Sequence, residues 1–131
     1  MKGFVPDEIV EDAEVFVLAQ GPGGDEEREG RPMVGRTGDM MEREFFPRAS
    51  LERGHVSIGN VIRCRWQRNG TRTNDLPPEA ILKPAMAQCQ EAYFRPPPST
   101  KLIVAQGALA WRAMGQDTSI MKWRGFLAPE A

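Results

Sequence analysis

Apolar residues in this chain fall into short runs, separated by glycine, proline and charge, and the runs differ in period. Glu14-Val15-Phe16-Val17-Leu18-Ala19 is nearly all apolar and closes on Gly21-Pro22-Gly23-Gly24, the pattern of a buried strand entering a turn. From Asp39 to Phe46 apolar side chains recur at helical spacing, and Pro47 is expected to stop that helix. His55 to Ile62 alternates and is β-branched, which predicts a second strand. A basic loop is expected from Arg63 to Asn74. After it, prolines at 77 and 78 can open a helix running through Tyr93. Pro96-Pro97-Pro98 is a stiff connector, Lys101 to Ala105 a third strand, and Gly107 to Met114 a helix leaving its end.

Strands alternating with helices imply an α/β fold: three layers, α/β/α, around a short, mostly parallel central sheet. Such sheets bind ligands at the carboxyl ends of their strands, which here are the turns at 19–24, 60–66 and 105–108. A length of 131 residues suits a single domain, 1–131. Because Arg124 to Pro129 reads as the start of another strand, that domain is expected to be incomplete at its C-terminus, and its N-terminus is open to the same question.

Composition narrows the partners only a little. With 17 basic and 18 acidic residues the net charge is -1, so any footprint for nucleic acid must be local. Two cysteines are too few for a secreted disulfide scaffold, no apolar run is long enough to span a membrane, and the first ten residues do not read as a signal peptide. A cytoplasmic protein without a membrane partner is the expectation.

Taken singly, the chemical features are ambiguous. The Gly21-Pro22-Gly23-Gly24 turn lets a backbone approach a phosphate or base, or is plain punctuation. It lacks the Gly-Lys-Ser/Thr ending of a P-loop, and no helix is expected directly after it. Asp25-Glu26-Glu27 is either a source of a general base or a solvated loop. Arg63, Arg65, Arg68 and Arg72, with Trp66 among them, suit phosphate contacts and base stacking, or else a solvated loop with a tucked indole. His55 lies at a strand entry, away from the carboxyl edge. Cys64 and Cys89 by themselves cannot complete a zinc or iron–sulfur site, so inert thiols are the default.

Several of these pieces coincide in one family. Gly21-Pro22-Gly23, Glu26-Glu27 and Gly30-Arg31-Pro32-Met33-Val34-Gly35-Arg36-Thr37-Gly38 together resemble the first motif of the family-four uracil-DNA glycosylases, roughly GEAPG-x-x-ED-x-x-GRPFVG-x-AG. Gly59-Asn60-Val61-Ile62-Arg63-Cys64-Arg65 resembles their TNVVKCRP segment. Leu102 to Ala110 resembles their third strand and helix start, and Lys122-Trp123-Arg124-Gly125 a later RG turn. The resemblance implies uracil excision from single- or double-stranded DNA: the base is flipped into a pocket and its N-glycosidic bond hydrolysed through a transition state with positive charge on the sugar. It also implies base contacts from Gly21, Pro22, Gly23, Met33 and Asn60, whose amide offers both a donor and an acceptor. DNA contacts would come from Arg63, Arg65, Trp66, Arg68 and Arg72.

The chain also departs from that pattern. Gln20 stands where the family has a water-activating glutamate, and an amide can orient water but cannot take its proton. Glu26, Glu27 or Asp25 is then the candidate replacement, with Gln20 as the water-orienting group. Met33 stands for the phenylalanine that stacks on the base, and the family's C-terminal histidine motif has no counterpart. Cys64 and Cys89 match two ligands of the family's 4Fe–4S cluster. This chain alone is therefore expected to hold no cofactor, and a longer parent would have to supply two more cysteines. The readings left open are a glycosylase of full or reduced activity, a catalytically lapsed DNA-binding module of a larger replication or repair protein in a bacterial or phage-infected cell, and an unrelated nucleotide-binding domain.

Overall fold

A computed structural model describes residues 3–115. The expected strand at 124–129 and the Lys122–Gly125 turn lie outside the described residues. Strands β1 (Val15–Ala19), β2 (Val56–Asn60) and β5 (Leu102–Ala105) form one parallel sheet in the order β2-β1-β5. Val15 pairs with Val56 and with Leu102, and Ala19 with Asn60, so the three carboxyl ends emerge on one edge.

Side-chain alternation along the strands divides the core into two layers. Phe16 and Leu18 face a cluster with Leu82 and Met86 of helix α4 (Glu79–Tyr93) and Leu109 and Ala110 of α5 (Ala108–Ala113). Val17, Val56 and Ile58 face the other way, onto Met33, Met41 and Phe46. The α/β/α layering expected from the sequence is therefore present, with the sheet's buried runs as its cause.

Some local details differ from expectation. A short helix, α1 (Gly24–Glu29), does begin directly after the glycine turn, because Gly23 and Glu26 form a capping pair there. Pro47 does not end the helical segment. Helix α2 (Arg36–Met40) passes through a π-helical turn at Met41–Phe45 into α3 (Phe46–Arg48), and the proline sits in the first turn of α3, where no amide donor is needed. Within the basic loop lies a small hairpin, β3 (Gln67–Arg68) and β4 (Thr71–Arg72), turned by Asn69 and Gly70, both at positive φ.

The N-terminal segment forms an unexpected border to the sheet. Glu8 bridges Ile58 and Phe4 bridges Cys64, both antiparallel, so the first residues lie along the outer edge of β2. Backbone bonds from Glu8 N–H to the Ile58 carbonyl (2.7 Å) and from Ile58 N–H to the Glu8 carbonyl (2.9 Å) hold this arm.

Candidate active site

The pairing of β1 with β2 continues beyond the strands. Val61 N–H donates to the Ala19 carbonyl (2.9 Å) and Ile62 N–H to the Gln20 carbonyl (3.1 Å), which lays the Gln20–Gly24 turn against residues 60–62. Gly21 sits over Ile62 with room for only an ordinary contact. Asn60 ends β2 beside this turn with 3% of its surface exposed. Among the described residues its side-chain amide makes no hydrogen bond. Its amide atoms are not sealed from solvent, so a donor and an acceptor stand open at the carboxyl edge of the sheet. Gln20 is exposed at the same turn.

Glu26 joins two loops. One carboxylate oxygen accepts from Gly23 N–H (2.8 Å) and the other from Val34 and Gly35 N–H (3.0 Å each). Burial alone would raise this carboxyl, but the amides of Gly35, Gly23 and Val34 outweigh it and hold the group below its ordinary range. A Cβ at Gly23 would press on the Glu26 carboxylate and oblige it to shift. Glu27 is also engaged, ion-paired with Arg72 (2.5 Å) and Arg65 (3.5 Å). Asp25 pairs with Arg28. Asp25, Glu26 and Glu27 thus all have partners. These are the candidate replacements for the base.

Met33 is only 6% exposed and packs in the inner layer with Val17 and Met41. Its backbone is left-handed, at φ 53°, which is costly for a residue with a side chain. Gly38 packs so tightly on the Met33 carbonyl that a Cβ there would collide with it.

The arginines separate into different roles. Arg63 is corrected from a DNA contact to a core residue. It is 1% exposed, its guanidinium donates to both oxygens of Asp7 (3.2 and 2.8 Å), and it also reaches the Val61 and Cys89 carbonyls. Arg65 lies half-buried against Gly24 and donates to Asn74, which also receives Gly24 N–H. Arg72 is partly covered through Glu27 and Trp66 is half-buried. Arg68 is exposed on the hairpin and, among the described residues, makes no ion pair.

Asp7, Glu8 and Arg53 were not singled out by sequence reasoning. The Asp7 carboxylate accepts Asn60 N–H as well as the Arg63 guanidinium, and burial pushes its carboxyl above the ordinary value in spite of both. Gly59 is what admits it, since a Cβ at that position would overlap the carboxylate. A glycine inside a β-branched strand was the available signal, because it marks a close backbone approach.

A 4Fe–4S cluster needs four ligands. The chain has two cysteines, Cys64 and Cys89, both partly buried and unbridged, and no group of three potential metal ligands occurs among the described residues. Burial, with Cys89 nearby, raises the Cys64 thiol and so disfavours the thiolate that would bind iron. These residues do not fit a cluster unaided. No helix among the described residues is long and apolar enough to cross a membrane.

The comparison with known proteins agrees with this layout. Residues 6–127 match the pattern of the uracil DNA glycosylase superfamily. A type-4 uracil-DNA glycosylase of Thermotoga maritima is 34% identical over 116 residues, covering 87% of this chain and 56% of the relative. Those of Sulfurisphaera tokodaii (38% over 65 residues; 50% of this chain, 30% of the relative) and Pyrobaculum aerophilum (37% over 70 residues; 53% and 35%) match shorter stretches. The chain thus spans at most about half the length of these curated relatives. With the glycine turn, the buried Asn60 and the clamped loop on one edge of a parallel sheet, the chain belongs to the uracil DNA glycosylase superfamily.

Proposed function

We propose that this chain is a glycosylase module that hydrolyses the N-glycosidic bond of uracil in DNA. The observation that carries the reading is the unengaged amide of buried Asn60 beside the Gly21–Gly23 turn. Asn60 pairs with the Watson–Crick edge of a flipped uracil, the glycine turn lets backbone approach base and sugar, and Met33 forms part of the pocket wall. Gln20, exposed at the turn, orients the attacking water. Glu26 and Glu27 act chiefly as clamps, so activity is reduced relative to an enzyme with a carboxylate at position 20. Arg68 supplies the open cationic contact to DNA phosphates, with Arg65, Trp66 and Arg72 beside it. The setting is intracellular, fusion to a replication protein is compatible with the chain's partial span, and a 4Fe–4S cluster would require two cysteines from a longer parent.

Release of free uracil from uracil-containing single-stranded DNA tests the reading, and Gln20→Glu should raise the rate at least tenfold. No release by either protein at high enzyme concentration would remove it. A lapsed DNA-binding module is the second reading, favoured by the engagement of Asp25, Glu26 and Glu27. It predicts salt-sensitive DNA binding, weakened by changing Arg65 and Arg68 together to alanine, without uracil release from either the wild type or Gln20→Glu.

A further inference from the structure

The segment from Arg31 to Gly35 has no regular secondary structure, yet each of its residues is pinned. Arg31 donates to one oxygen of Glu8 (2.9 Å). The Pro32 and Met33 carbonyls both accept from the Arg53 guanidinium (2.5 and 2.6 Å). Val34 and Gly35 N–H are taken by Glu26. Arg53 itself is locked, because its Nε donates to the other oxygen of Glu8 (2.9 Å), and its side chain is largely buried. Glu8 is in turn fixed to β2 by paired backbone bonds.

An ordinary surface loop does not need this. A backbone in the left-handed region persists at a residue such as Met33 only where its surroundings over-determine it. Arginine is the side chain able to do so here: a planar fork reaches two consecutive carbonyls while its third edge meets a carboxylate, and an ammonium cannot match that geometry.

We propose that Arg53, locked by Glu8 of the N-terminal arm, is a positioning residue that holds the Met33 turn in the shape of the base pocket. The catalytic part rests on the glycosylase reading above, whereas the positioning part does not. Arg53 lies in the 3₁₀ turn Arg53–His55 before β2, at the amino end of the strand and away from the DNA-facing edge. It should therefore govern turnover more than DNA affinity.

Two measurements on wild type, Arg53→Lys and Glu8→Gln decide it. Native-state hydrogen exchange at the Val34 and Gly35 amides should accelerate at least tenfold in both variants, while the β1 and β2 amides keep their protection. Unchanged protection of Val34 and Gly35 overturns the positioning role, and so does a uniform loss that includes the strands. In uracil-release kinetics, kcat per folded molecule should fall roughly tenfold or more, with KM for DNA within about twofold, as expected of a displacement on the ångström scale. Faster exchange with kcat unchanged overturns the link to catalysis. Inactivity of the wild type and of Gln20→Glu rejects the glycosylase reading, and the exchange result still decides the positioning role.

Discussion

Changing Glu26 separates a clamp from a base. Its carboxylate accepts three backbone N–H bonds across two loops. Bonds to a charged acceptor are worth about 1.5–3 kcal/mol each, but this group is only partly buried and water replaces much of what is lost. A net cost of roughly 2–3 kcal/mol for Glu26→Ala is a fair expectation. With an unfolding entropy of about 2.1 cal/mol/K per residue, the chain should lose roughly 7–11 °C in Tm. Glu26→Gln keeps one good acceptor oxygen and should lose about half as much. The pH dependence follows from the lowered carboxyl. A group whose folded pKa lies below its unfolded value stabilises fully above the unfolded value of 4.5 and loses that contribution as pH falls through the folded value. The wild-type advantage over Glu26→Gln should thus be present at pH 7 and vanish in the acid limb. Thermal melts from pH 2.5 to 7, beside uracil-release rates corrected for folded fraction, make the comparison. A clamp predicts a reduced Tm with measurable activity in Glu26→Gln. An unchanged Tm with activity abolished would refute the reasoning and restore Glu26 as the general base.

Two further changes probe the surroundings. Asp7→Ala leaves Arg63 buried without its carboxylate and should cost about 3–5 kcal/mol, whereas Asp7→Asn, which keeps an acceptor for the guanidinium but still leaves its charge uncompensated, should cost less than Asp7→Ala; equal melting temperatures for wild type and Asp7→Ala would contradict the pairing. Glu27→Gln removes the charge held between Arg65 and Arg72, so single-stranded DNA should bind several-fold more tightly, with a steeper salt dependence by fluorescence anisotropy; weaker binding would show that Glu27 orients these arginines productively instead of masking them.

What the sequence disclosed, and what it concealed, follows from the range of the interactions. The three strands were legible because alternation and β-branching are properties of neighbours, and the topology then had few choices. The glycine turn stood out because its spacing matched a long motif, and Asn60 because a second, shorter segment matched as well. Arg63 was misread because a dense run of arginines says nothing about which of them a distant carboxylate, at Asp7, draws inward. Glu8 and Arg53 went unnoticed for the same reason, being 45 positions apart in the chain. The hairpin at 67–72 carried its own signal in Asn69-Gly70, obscured by the charge around it.

The arm along β2 also bears on how the molecule opens. Contacts joining Phe4 to Cys64 and Glu8 to Ile58 close loops of fifty residues or more, but the pairing of Val15 with Leu102 closes a longer one, so loop length does not distinguish the arm from the sheet. What sets the arm apart is how little backbone pairing holds it, isolated bridges instead of a ladder, so it is expected to open more readily than the strands, and each opening would withdraw the Asp7 carboxylate from the Asn60 N–H.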